Sequence, residues 1–241
     1  MAEASSNDSP KATEMTIFLS DAGKRFNREW IFRHLTYTFE EGKSYAITGP
    51  NGSGKSTLLQ TLAASMHINE GIIKFDVRLQ EYAVNRRTGN KGSIEMKRFQ
   101  YDLRSDQIYK YISYCAPYLD VIEEMTLEEF LSFHNGFKPF LSNISQEEII
   151  SLIGLKAAAK KQIRYYSSGM KQRVKLAQAI FSDTPAVLLD EPCTNLDAAG
   201  IDLYQQLITT YCSERLVIVS SNDETEYGFC ENRLSILDYK A

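Results

Sequence analysis

Between Tyr45 and Leu62 the chain reads as an apolar run, a glycine-dense turn and the opening of a helix: Tyr45-Ala46-Ile47-Thr48, then Gly49-Pro50-Asn51-Gly52-Ser53-Gly54-Lys55-Ser56-Thr57, then Leu58-Leu59-Gln60-Thr61-Leu62. The turn fits G-x-x-x-x-G-K-[ST]. Successive backbone N–H groups in such a turn converge on an anion at the positive end of the following helix. The spacing therefore predicts a nucleotide phosphate cradle built from Asn51, Gly52, Ser53, Gly54, Lys55, Ser56 and Thr57. Lys55 is expected to reach the β- and γ-phosphates and the Ser56 hydroxyl to bind Mg²⁺. A strand, loop and helix in this order make the chain an α/β protein.

The chain has 241 residues, 43% of them hydrophobic, which suits one α/β domain or a core with a small subdomain. A formal net charge of −4 carries no footprint for nucleic acid, and the basic cluster Arg86, Arg87 and Lys91 reads as a solvated loop. Cys115, Cys193, Cys212 and Cys230 lack any C-x-x-C spacing and fit reduced, mostly buried thiols of a cytosolic protein. Met1 to Glu14 are polar and Ser-rich without an apolar stretch, and read as a disordered leader. No segment approaches the roughly 18 to 20 apolar residues that span a bilayer, so a membrane role requires a partner.

From Thr16 to Thr48 short apolar runs alternate with polar turns, as in antiparallel strands, and Gly71-Ile72-Ile73-Lys74-Phe75 continues the pattern. Asp76 to Tyr109 is charged and poorly periodic, and reads as short strands and loops or an insertion. Ile112-Ser113-Tyr114-Cys115 is a further strand, and from Thr126 to about Ser182 the periodicity is helical, opening on the capping box Thr126-Leu127-Glu128-Glu129. Ala186-Val187-Leu188-Leu189 and Leu216-Val217-Ile218-Val219 have the uninterrupted apolar character of buried parallel strands.

The first of those two runs ends in Asp190-Glu191, which puts two carboxylates at the carboxyl end of a sheet, where ligands of open α/β folds sit. Asp190 is expected to hold Mg²⁺ through water, and Glu191 to act as the general base on a water aimed at the γ-phosphate. Upstream, Tyr166-Ser167-Ser168-Gly169-Met170-Lys171-Gln172-Arg173 opens a helix carrying Val174, Leu176, Ala177 and Ile180; downstream lies Thr194-Asn195-Leu196-Asp197.

These four motifs together resemble the ATP-binding cassette (ABC) family, in order and spacing, from about Thr16 to Tyr239. The resemblance implies a P-loop NTPase with a RecA-like parallel sheet core (about 15–115 and 185–241), an N-terminal antiparallel β subdomain and a helical signature subdomain (about 116–184). It implies ATP and Mg²⁺ as ligands, with Ser167, Ser168, Gly169 and Met170 as the signature that binds the γ-phosphate of ATP held by an opposite subunit. It further implies a head-to-tail dimer, homomeric or heteromeric, in which Asp197 connects the two sites. Phe26 matches the aromatic that stacks on adenine, with Trp30 as a substitute and core packing of Phe26 as the alternative.

The chain departs from the family at two loops. Pro117 stands where the family carries a glutamine, which removes a side-chain ligand of Mg²⁺ and stiffens the loop. The three histidines are His34, His67 and His134, so the position of the switch histidine falls to Asn222, a neutral donor to the γ-phosphate. Slow hydrolysis without weak ATP binding is the expectation. Ser168 for the first signature glycine and Met170 for its glutamine add to the departure, in a spelling that looks like exporter signatures.

The leading expectation is an ATP-hydrolysing subunit, peripheral on the cytoplasmic face of the cell membrane, that drives separate membrane-spanning permease subunits, with no nucleic acid partner. Docking is expected in the groove beside Pro117 to Leu131, including Tyr118, Leu119, Val121 and Ile122. A non-transport ATPase of the same family and a degenerate ATP-sensing subunit are the alternatives. A GTPase is disfavoured because the nearest guanine motif, Asn90-Lys91-Gly92-Ser93, lacks its acid.

Overall fold

A computed structural model of the protein describes residues 11–84, 91–102 and 106–240. In chain order the elements are β1 (Lys11–Phe26), β2 (Glu29–Phe39), β3 (Ser44–Thr48), α1 (Lys55–Leu62), β4 (Glu70–Val84), β5 (Lys91–Asp102), β6 (Ile112–Cys115), α2 (Leu127–Phe137), α3 (Gln146–Leu152), α4 (Ser168–Phe181), β7 (Ala186–Asp190), α5 (Ala198–Tyr211), β8 (Leu216–Ser220), α6 (Glu224–Tyr227) and β9 (Asn232–Ser235). They form a four-stranded antiparallel sheet, ordered β2-β1-β4-β5, and a five-stranded parallel sheet, ordered β6-β7-β8-β3-β9.

The parallel sheet is buried on both faces, which is why its strands read as unbroken apolar runs. On β7, Ala186 and Leu188 face α1 and the antiparallel sheet, while Val187 and Leu189 face the helices that follow β6. β8 repeats the division with Leu216 and Ile218 on one side and Val217 and Val219 on the other. Each of the Val, Leu and Ile side chains among these stabilises the fold by about 1.5–3 kcal/mol on burial. The α4 face read from the sequence is seated in the same way: Val174, Leu176, Ala177 and Ile180 are at most 2% exposed.

Three expectations need correction. Ser44–Thr48 belongs to the parallel sheet, where it pairs with β8 and β9. Among the described residues, the segment 76–109 is no succession of short strands: β4 runs on to Val84 and pairs with β5 from Lys74↔Asp102 to Val84↔Lys91. The reason lies in its period of two. Phe75, Val77 and Leu79 are buried while Asp76, Arg78 and Gln80 lie outward, and the charges on the outer face mask the alternation. Outward Arg98 and Asp76 then pair across the ladder at 2.6 Å. Thirdly, β1 begins inside the segment 1–14 read as a leader, with Lys11, Ala12 and Glu14 opposite Gln80, Leu79 and Arg78. A ladder is made by backbone groups, so polar residues join it when a partner strand is in reach. Residues 1–10, Arg86, Arg87 and Asn90 lie outside the described residues.

The helical segment packs on the sheet face of Val187 and Leu189. The capping box is present: Thr126 Oγ1 accepts from Glu129 N–H, and Glu129 Oε2 accepts from Thr126 N–H at 2.8 Å. Ser145 and Glu148 make a second one on α3. Cys115, Cys193, Cys212 and Cys230 are free and buried, and burial pushes the Cys115, Cys193 and Cys230 thiols up to about 12. Among the described residues, no helix is long and apolar enough to cross a membrane.

Candidate nucleotide site

β3 delivers the chain to the glycine turn and α1 takes it away. Gly49, Gly52 and Gly54 have φ of 150°, 76° and 102°, the region that favours glycine. At Gly49 a Cβ would also lie 2.7 Å from Ser53 Oγ and Ile236 Cγ2, and at Gly54 it would collide with Ile31. The residue before α1 is Gly54, which offers no side-chain cap, whereas α2, α3, α4, α5 and α6 are capped by Thr126, Ser145, Ser167, Asp197 and Asp223. The first N–H groups of α1 are thus left for an external acceptor. Lys55 is 5% exposed, with Nζ donating to the carbonyls of Gly49 (2.8 Å) and Pro50 (3.2 Å).

β7 brings Asp190 and Glu191 to this loop. Asp190 is 1% exposed, and burial raises its carboxyl above the ordinary value against the opposing influence of the neighbouring Ser56 and Ser220 hydroxyls and of Lys55. Its Oδ1 is buried without a hydrogen-bond partner, as is Ser53 Oγ. A buried carboxylate oxygen with no donor, beside the Ser56 hydroxyl, is a donor set of hard oxygens that fits Mg²⁺ with a nucleotide. Glu191 has φ of 42°, uncommon for a residue with a Cβ, and is pinned there by its N–H on Ser220 O (2.9 Å) and by Thr194 N–H on its own carbonyl (3.2 Å). Ser221 N–H bonds Ile47 O at 3.1 Å, which sets the exposed Asn222 next to the end of β3.

The signature residues gather elsewhere on the surface. Ser167 caps α4, its Oγ accepting from Met170 N–H at 3.2 Å, so its own O–H is free to donate outward. Ser167, Ser168, Gly169 and Met170 line an open depression with Gly154, Arg173 and Asp197, and no phosphate-loop residue reaches it. Gly169 sits against the Asn195 carbonyl, 2.9 Å from where a Cβ would be, and Arg173 pairs with Asp197 at 3.4 Å. The phosphate loop and the signature residues therefore form two separate clusters in one chain.

Phe26 ends β1 with 46% of its surface exposed and Lys24 Nζ 5.0 Å from its ring centroid, so core packing does not account for it. Trp30 is occupied instead, packed over Gly23 with the Arg33 guanidinium 4.5 Å and that of Arg25 5.3 Å from its ring. In the loop after β6, Tyr118, Leu119 and Ile122 are exposed, but Val121 is 7% exposed and belongs to the core, a correction to its place in the docking groove. Its apolar neighbours in sequence gave no cue to which of them turns inward. Phe133 and Phe137 on α2 are 45% and 75% exposed with ring centroids 4.9 Å apart, a further exposed apolar pair that the sequence reading passed over.

Two buried groups near the site were also missed. Glu226, 5% exposed, accepts from Cys193 N–H at 2.7 Å and so anchors the turn between Glu191 and Asn195; burial raises its carboxyl above the ordinary value. Gln172, 1% exposed, donates to Pro192 O at 2.7 Å from the signature helix. Glu226 reads in sequence as part of the solvated acidic run from Asp223, and only the helix period of Gln172 in α4 carried a signal.

A sequence profile described as ABC transporter matches residues 32–194. The chain is 28% identical over 223 residues to the ABC transporter ATP-binding protein YhcH of Bacillus subtilis, covering 91% of this chain and 66% of that protein. It is 28% identical over 181 residues to the cytochrome c biogenesis ATP-binding export protein CcmA of Xylella fastidiosa, covering 75% and 71%. Against three Bacillus subtilis relatives the chain spans 66%, 56% and 59% of their length. In fold it is similar to a dimeric ATP-binding cassette in a post-hydrolysis state bound to ADP and Pi, with a TM-score of 0.68 at 22% identity over 91% of this chain and 93% of that one. On the profile match across the phosphate loop, signature and paired acids, the chain belongs to the ABC transporter family.

Proposed function

We propose that this chain is the ATP-binding and hydrolysing subunit of an ABC transporter. The observation that carries the reading is the meeting of an uncapped helix start with the partnerless buried oxygen of Asp190 and the pinned Glu191. Asn51 to Thr57 wrap the phosphates, Lys55 exchanges its two carbonyls for the β- and γ-phosphates, and Phe26 stacks on the adenine. Ser56 and Asp190 would hold Mg²⁺, which when bound would neutralise phosphate charge. Glu191 accepts the proton of the attacking water, and Asn222 donates to the γ-phosphate.

Ser167 to Met170 serve the ATP of a second ATPase subunit, equal or related, in a head-to-tail dimer, with Asp197 between the sites. Two half-sites that do not meet within one chain support this arrangement. ATP closes the dimer and hydrolysis reopens it, moving membrane-spanning permease subunits that dock on the loop of Tyr118, Leu119 and Ile122. The protein then lies on the cytoplasmic face of the membrane. Export is the direction suggested by the relative named for it.

Phosphate release by the purified chain and by Glu191→Gln tests the enzyme reading: a slow but measurable rate, at least about 100-fold lower in the variant, is expected for loss of a general base. Equal rates at background would leave an ATP-sensing subunit, the reading that Pro117 and Asn222 favour. Tagging the chain in its native cell and identifying what co-purifies from solubilised membranes tests the transport reading, which requires a multi-span partner.

A further inference from the structure

The loop after β6 is fastened on two sides by groups that the phosphate chemistry leaves unused. On one side Lys175 of α4 donates through Nζ to the carbonyls of Pro117 (3.0 Å) and Ala116 (3.4 Å), and Lys171 of the same helix pairs with Glu123. On the other side Gln60, in the second turn of α1, donates from Nε2 to Tyr118 Oη at 2.7 Å. The Tyr118 hydroxyl in turn bonds that of Tyr114 on β6. Tyr114 lies opposite Leu188, two residues before Asp190, and the Asp190 charge bears on both phenols. A phenol has one proton and two lone pairs, so Tyr118 accepts from Gln60 and still shares a bond with Tyr114.

A side-chain chain thus runs from the helix that begins in the phosphate loop, through Gln60 and Tyr118, into a loop whose other side is held by the helix that begins at Ser167. Pro117 adds no side-chain bond to it, having no polar side chain and no N–H, and takes part only through the carbonyl that accepts from Lys175. Tyr118 is half exposed, so its bonds are not locked in by packing and can respond to small shifts of α1.

We propose that Tyr118 is a positioning residue that transmits the occupancy of the phosphate loop from α1 to the loop 116–123 and on to α4, through the Gln60–Tyr118–Tyr114 hydrogen bonds. The inference rests on the ATP-binding reading. Its test is hydrogen–deuterium exchange of the full chain with and without a non-hydrolysable ATP analogue, alongside the affinity for that analogue and the melting temperature of the free protein.

In the wild type the analogue is expected to slow exchange of the amides from 116 to 125 and from 167 to 170. Tyr118→Phe keeps the ring and removes only Oη; it should bind the analogue within about threefold of wild type while the protection of both segments falls by about fivefold or more, the scale of one hydrogen bond. Gln60→Leu should reproduce the effect, and the double variant should add nothing to it, as for two residues in one network. Undiminished protection in Tyr118→Phe or Gln60→Leu overturns the proposal, as does a wild type that binds the analogue with no change in these amides. A wild type that binds no analogue removes the ATP reading itself, and the proposal with it.

Discussion

Gly54 shows what a single missing Cβ does here. At φ 102° and against Ile31, it is the one residue that both turns the loop into α1 and leaves the helix start open. Gly54→Ala should strain the loop by about 1–3 kcal/mol and abolish binding of a fluorescent ATP analogue, read by titration and by urea denaturation. Asn222, exposed next to the end of β3, is the opposite case, a side chain that on the proposed function can donate but carries no charge. Replacing it with an imidazole restores a donor able to carry charge, and Asn222→His should raise phosphate release at saturating ATP by at least about tenfold. Far from the nucleotide, Arg215 is 9% exposed and donates to the carbonyls of Thr184 (2.6 Å), Ile180 (2.6 Å) and Ser182 (3.0 Å). Arg215→Met would leave three carbonyls without these donors and should lower the unfolding free energy by about 3–5 kcal/mol, measured by chemical denaturation.

Helix α2 carries a pH dependence of its own. Ser182 Oγ donates to Gln178 O at 2.6 Å, so its oxygen accepts from His134 Nε2 at 2.9 Å, which places a proton on Nε2. Burial, aided by Lys138, pushes the His134 value down from 6.5 to about 4. Between those values the unfolded chain binds a proton that the folded chain refuses, so stability falls as pH drops through the window. Denaturation midpoints near pH 6.5 and near pH 4 should diverge in the wild type and converge in His134→Gln. Elements differ sharply in how plainly they are written. Leu216 to Val219 announce a buried parallel strand because neither face meets water, and the capping box of α2 is a contact within four residues. The β4–β5 hairpin is obscure because one of its faces is paved with charges that pair only once the strands are in register.

At the scale of the molecule the phosphate loop and the depression at Ser167 to Met170 share no lining residue, and the proposed function joins them across an assembly. With ATP and Glu191→Gln the chain, alone or with its partner ATPase subunit, is expected to elute as a dimer in size exclusion, and to revert to monomers when ATP is removed or when Ser167 is changed to Glu, which sets like charge against phosphate. The sequence by itself determined the phosphate loop, the paired acids, the signature turn and the parallel core strands, because each is a contiguous stretch whose backbone path and residue types do the work together. Only the tertiary structure decided that Phe26 stays out of the core while Val121 enters it, that Glu226 anchors the turn after Glu191, and that Gln60, Tyr114 and Tyr118 meet beside Asp190. Glu226 reaches Cys193 across 33 residues and Gln60 reaches Tyr118 across 58, and no spacing along a chain encodes which side chains will share a surface once distant strands and helices have packed.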